Sequence, residues 1–263
     1  MNIAYELNDI SFSYYKSQSL FVDLSLKIKS NTLTAVIGPN GSGKSTFLRI
    51  LCRLLKPTKG EIKLLGTSIE EYNRRDLAKK IAILPQTISP LFSLSVEDVI
   101  ALGRFPHKMP LSNLNLRDRK IINDCVNKMG LTALKGRRIE ALSAGEFKKT
   151  VIASILAQEP EILLLDEPLS GLDTPFQLEL LTLLQELKSS GLTIILTTHE
   201  INVITRFADE VLLFSNSHSL IGYGPPNVVL NQDNLLSAYN CKFWIGNHPL
   251  TNSILVEPLI YEK

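Results

Sequence analysis

Apolar and polar positions alternate in short stretches from Ile3 to Ile28, as in antiparallel strands with one covered face. Leu33–Ile37 drops the alternation and is apolar throughout, which predicts a strand buried on both faces, as in a parallel sheet. A Gly-rich segment, Gly38–Gly43, follows. The period then changes: Phe47, Leu48, Leu51, Leu54 and Leu55 recur at helical spacing, with Pro57 and Gly60 as the stop. Glu61–Leu65 reads as a further strand.

From about Ser93 to Gln158 the pattern is mostly helical, broken by the Pro-rich segment Pro106–Pro110. Glu161–Leu165 and Leu192–Leu196 read as buried strands. Between them Pro175–Lys188 reads as a helix, with Pro at its start and Gly191 beyond its end. Ile201–Phe207 predicts a short helix and Val211–Phe214 a strand. After the turn at Gly224–Pro226 a helix extends to about Tyr239, and the residues to Lys263 are weakly patterned. Strands alternating with helices predict an α/β fold with a mainly parallel sheet.

Composition narrows the function. A net charge of +2 supplies no concentrated basic field, which argues against a nucleic-acid partner. Met1–Asp9 holds no apolar h-region, so no secretory signal is expected. No apolar run approaches the ~18 residues of a spanning helix. Cys52, Cys125 and Cys241 are scattered and suggest neither a disulfide framework nor a zinc site. Free thiols fit a reducing compartment.

Two segments carry chemistry. Gly38-Pro39-Asn40-Gly41-Ser42-Gly43-Lys44-Ser45 fits G-x-x-x-x-G-K-[ST], between an apolar strand and an amphipathic helix. Glycines let the backbone curl so that successive N–H groups face phosphate oxygens, and the helix adds its positive N-terminal end. Lys44 is expected on the β- and γ-phosphates, Ser45 on Mg²⁺ and Thr46 on the α-phosphate. The second segment, Ile162–Asp166, is a buried strand that delivers Asp166 and Glu167 to the carboxyl edge of the sheet, where ligands of open α/β sheets collect. Alone, the acidic pair would read as solvated. With a phosphate loop upstream, Asp166 is expected at Mg²⁺ and Glu167 as general base toward an attacking water.

With these segments in place, the sequence resembles the ATP-binding subunits of ABC (ATP-binding cassette) transporters from Tyr14 to about Phe243. Leu142-Ser-Ala-Gly-Glu146 resembles the LSGGQ motif, with Ala144 in place of a glycine and Lys148-Lys149 where the family often has Gln-Arg or Arg-Gln. Ser170-Gly-Leu-Asp173 resembles the D-loop, Gln86 the Q-loop glutamine that also reaches the metal, His199 the switch histidine, and Tyr14 the aromatic that stacks on adenine. The resemblance implies a RecA-like P-loop ATPase core with an antiparallel β region (1–88 and 159–240), an inserted helical subdomain (89–158) and a C-terminal tail (241–263). It implies two copies packed head to tail, with Ser143, Gly145 and Glu146 of one copy closing on ATP held by the other. It also implies a peripheral subunit on the cytoplasmic face of a membrane.

Ser95–His107, with its Gly103-Arg104-Phe-Pro106 core, resembles a run found in siderophore, haem and cobalamin importers, as do Thr198–Asn202 and Gly224–Leu230. This implies two membrane permease subunits and an extracytoplasmic substrate-binding protein as partners. An exporter ATPase and a soluble non-transport ATPase are the other readings. Taken by itself, Arg104 reads as a solvated charge.

Overall fold

The computed structural model describes residues 2–15, 18–88, 93–108 and 113–259. The expected lobe boundary at Ser89 and the last four residues of the tail lie outside them.

Strands β1 (Ile3–Tyr15) and β2 (Gln18–Lys29) pair antiparallel, and β4 (Lys59–Leu64) and the short β5 (Thr67–Ser68) complete a four-stranded sheet in the order β2-β1-β4-β5. The buried face of β1 runs through Leu7 and Ile10, three residues apart, because a register shift there carries Asp9 at φ 52°. This bulge keeps both apolar side chains on one face.

The second sheet has six strands in the order β10-β9-β3-β8-β7-β6. These are β3 (Leu33–Ile37), β6 (Ile81–Leu84), β7 (Ile162–Asp166), β8 (Thr193–Thr197), β9 (Glu210–Phe214) and β10 (Leu220–Gly224). All are parallel except the edge strand β10. Successive residues face opposite sides. Leu163, Leu165, Ile194 and Leu196 enter one apolar cluster, and Ile162, Leu164 and Ile195 enter another. Both faces are covered, which is why these strands are apolar without alternation.

One face takes α1 (Lys44–Leu51), Leu77 of α2 (Arg74–Lys80) and the antiparallel sheet. The other takes α3 (Val96–Leu102), α4 (Leu116–Lys128), α5 (Ala144–Ala157), α6 (Thr174–Ser189), α7 (Ile201–Ile204), α8 (Pro226–Val229) and α9 (Gln232–Tyr239). Helices α3, α4 and α5 pack on one another.

Four features differ from the sequence reading. Helix α1 stops at Leu51, short of Leu54 and Leu55, because Arg53 takes a left-handed conformation (φ 56°) and donates to the carbonyls of Ile69 and Tyr72, 2.7 Å each. Helix α7 is one turn long. The tail forms a hairpin, β11 (Phe243–Asn247) with β12 (Ile254–Pro258). Asn202 clasps it by accepting from Val256 N–H at 2.8 Å and donating to its carbonyl at 3.1 Å. Finally, Arg104 is no solvated charge. It is 2% exposed and donates to Asp118 (2.9 Å), Glu159 (2.9 Å) and the Ala157 carbonyl (2.6 Å), tying the start of α4 to the end of α5.

Candidate nucleotide site

The carboxyl ends of β3, β8, β7 and β6 lie side by side, and the site is built on that edge. The phosphate loop leaves β3 at Gly38, whose φ is 150°. A Cβ there would sit 2.6 Å from the Phe214 carbonyl oxygen, so only glycine lets the loop start against β9. The loop turns into α1 at Gly43, φ 99°, where a Cβ would strike the Phe21 ring at 2.8 Å. Phe21, Phe47 and Phe214 pack against one another beneath it, Phe47 edge-on to the other two rings.

Asn40 to Thr46 line a cleft of about 390 Å³ together with Tyr14, Leu20, Gln86 and Glu167. Gly38 and Pro39 stand at its base, and their carbonyls accept from Lys44 Nζ at 2.8 and 3.0 Å. Burial lowers the Lys44 pKa from the usual lysine value, opposed by the charges of Glu167 and Asp166. The hydroxyl of Ser42 is buried with no partner inside this loop. An orphaned donor and a buried ammonium, held by two uncharged carbonyls, suit an anion in the cradle.

Ser45, in the first turn of α1, donates to Asp166 Oδ1 at 2.9 Å. Thr197, at the end of β8 and in register with Asp166, donates to the same oxygen at 2.7 Å. Among the described residues no group of three or more His, Cys, Asp or Glu could hold a metal ion. A hard ion that shares its shell with phosphate oxygens needs fewer, and one carboxylate with a hydroxyl fits magnesium.

Glu167 has φ 48°, a left-handed conformation that costs a non-glycine residue about 1–2 kcal/mol. Its N–H donates to Thr197 Oγ1 at 2.8 Å. Gln86 Nε2 donates to its Oε2 at 3.2 Å, and His199 Nδ1 lies 3.5 Å from the same oxygen. Gln86 and His199 therefore converge on the Glu167 carboxylate. Tyr14 shares a hydrogen bond with Thr46 Oγ1 at 2.9 Å and lines the cleft; its neighbour Tyr15 does not.

Ser143, Gly145 and Glu146 are not brought to this cleft. They line a separate concavity of about 710 Å³ with Gly171, Asp173 and Phe176. Ser143 caps α5 in a reciprocal box with Glu146, accepting from Glu146 N–H and donating its own N–H to the Glu146 carboxylate. Ala144 follows as the first helical residue, exposed.

Sequence reasoning missed Thr197 as a site residue. Its signal was a hydroxyl at the end of a buried strand beside the acidic one, legible only once the two strands are known to be neighbours.

The model of the ABC transporter family matches residues 21–170. The chain belongs to the ABC transporter family. The iron(3+)-hydroxamate import ATP-binding protein FhuC of Bacillus subtilis is 37% identical over 90% of this chain and 88% of its own length. The ferric enterobactin transport ATP-binding protein FepC of Escherichia coli is 32% identical over 93% and 90%. Among solved structures, a chain of an ABC transporter in an inward-facing conformation is 28% identical, with a TM-score of 0.84 over 99% of each chain. This ABC protein is an ATP-binding, ATP-hydrolysing transporter subunit with the P-loop ATPase fold. Among its described residues no helix is long and apolar enough to cross a membrane.

Proposed function

We propose that two copies of this chain, packed head to tail, drive a membrane importer of iron-siderophore, haem or cobalamin. One observation carries the pairing: the phosphate loop and the Ser143–Glu146 cap open into different concavities of the same chain. A complete site then takes the loop from one copy and the cap from its partner.

In this reading Tyr14 stacks on adenine, Gly38–Thr46 hold the phosphates, and Ser45, Gln86 and Asp166 hold Mg²⁺. The ion supplies Lewis-acid polarisation of the phosphoryl oxygens. Glu167 accepts the proton of the attacking water, and Gln86 and His199 orient its carboxylate. The core comprises 1–88 and 159–240, the helical subdomain 89–158 and the tail 241–263. Closure of the two copies on ATP, and release after hydrolysis, requires that the closed state bind ATP better than ADP.

The cargo reading rests on the Ser95–His107 run and on relatives named for hydroxamate, enterobactin and hemin transport. Its partners are two permease subunits and an extracytoplasmic binding protein, with this chain on the cytoplasmic face of the membrane. Deleting the gene and measuring uptake of iron chelates, haem and cobalamin tests it. Loss of one uptake activity is expected. Normal uptake of all three, with loss of efflux of another compound, would make the chain an exporter subunit.

A further inference from the structure

Glu167 sits in a tight turn. Ser170 N–H donates to the Glu167 carbonyl at 3.2 Å, with Pro168 at the second position, where its fixed φ suits a turn. This turn links the carboxylate of Glu167 to the Gly171–Asp173 segment that lines the second concavity. Thr197 holds the Glu167 N–H from the strand side.

The opposite side is held from helix α5. Lys148 Nζ lies 3.4 Å from the Glu167 carbonyl oxygen and 3.3 Å from that of Ser170, so one ammonium bridges both ends of the turn. The side chain is half-buried. Burial lowers the Lys148 pKa from the ordinary lysine value, and the charge of Glu167 opposes that shift. The neighbouring Lys149 turns away, to Glu179 and the face of Phe176. A left-handed residue persists only where its surroundings over-determine it. Here they are Thr197 on the N–H and Lys148 on the carbonyl.

We infer that Lys148 is a positioning residue for hydrolysis, holding the turn that aims the Glu167 carboxylate while touching neither nucleotide nor metal. The inference rests on the reading of Glu167 as the base. It also gives α5 two roles in one helix: its first turn carries the cap of the second concavity, and its next turn holds the base of the chain's own cleft.

The test is single-turnover ATP hydrolysis by Lys148→Met, Glu167→Gln and the double variant, with ATP binding and melting temperature measured on each. Lys148→Met keeps the aliphatic stem and removes the donors. It is expected to lower the hydrolysis rate roughly 10- to 100-fold, the effect of a misaimed group, with ATP affinity and melting temperature unchanged. Lys148→Arg, which keeps charge and donors, is expected to recover most of the rate. In the Glu167→Gln background the Met substitution is expected to cost nothing further, because residues acting through one group are not additive. An unchanged rate in Lys148→Met, or the same fractional loss in both backgrounds, would overturn the role of Lys148. So would a loss of ATP binding in step with rate. If Glu167→Gln alone hydrolyses ATP at the parental rate, the base reading fails and the role of Lys148 falls with it.

Discussion

Ser45 donates its hydroxyl to Asp166 across 2.9 Å, joining the first turn of α1 to the end of β7 over 121 positions of sequence. The two side chains meet because their elements share one edge of the parallel sheet, with Thr197 on the intervening strand donating to the same carboxylate. The cleft edge therefore gathers a phosphate loop, the paired oxygens of Ser45 and Asp166, and the carboxylate of Glu167.

Lys44→Ala removes the buried ammonium from the phosphate loop. ATP binding should weaken by about 2–4 kcal/mol, the scale of a lost charge-assisted contact. Calorimetric titration with ATP checks this, and unchanged affinity would contradict the loop's assignment.

Glu167→Gln keeps shape but cannot take a proton. Hydrolysis should fall by about 10²- to 10⁴-fold while ATP still binds. ATP retained at a two-sided site favours the paired state by mass action. Size-exclusion chromatography should then show a dimer with ATP, absent with ADP. Adding Ser143→Arg should remove that dimer by placing bulk and charge at the cap.

Thr197→Val keeps volume and deletes one hydroxyl that donates to Asp166 and accepts from the Glu167 N–H. Asp166 is buried at the strand end and the Glu167 N–H follows it in a half-buried turn, so stability should drop by about 1–3 kcal/mol. For a chain of this size that is roughly 2–4 °C of melting temperature per kcal/mol. Thermal unfolding measures it, and an unshifted transition would show that water replaces both bonds.

Arg104→Ala leaves Asp118 buried with its guanidinium partner gone. The cost should be about 3–5 kcal/mol, and Arg104→Lys should not restore the wild-type value, because one ammonium cannot serve Asp118, Glu159 and a carbonyl as a planar fork does. Denaturant unfolding of the three proteins gives the comparison.

Asp118 adds a pH signature. Burial pushes its carboxyl up, but hydrogen bonds from Arg104 and Asn115 N–H, with the Arg104 charge, outweigh it and hold the pKa below the ordinary 3.8. A carboxylate depressed in the folded state contributes stability above its unfolded pKa and loses it as pH falls through the folded one. The contribution of Asp118 should be intact above about pH 4 and fade in more acid solution. Asp118→Asn should lack that part of the acid dependence, and unfolding free energies of both proteins between neutral pH and pH 3 would show whether the curves converge.

The sequence by itself determined the elements whose chemistry is local. Gly38–Lys44 fixes a phosphate loop because its glycines supply backbone angles that other residues resist. The apolar runs at Leu33–Ile37, Glu161–Leu165 and Leu192–Leu196 fix a sheet buried on both faces. The family, and with it ATP binding and hydrolysis, was legible in the order of such motifs. What remained hidden depended on which strands are neighbours and which helix ends meet. Thr197 serves Asp166 only because β8 lies beside β7. Arg104 is buried only because α4 and the end of α5 close over it with two carboxylates. The tail forms a hairpin because Asn202 and Thr205 of a distant segment bond to Val256 and Ile254. Periodicity reports which face of an element is covered, whereas the partner that covers it is chosen by packing over long sequence separations, and only the tertiary structure carries that choice.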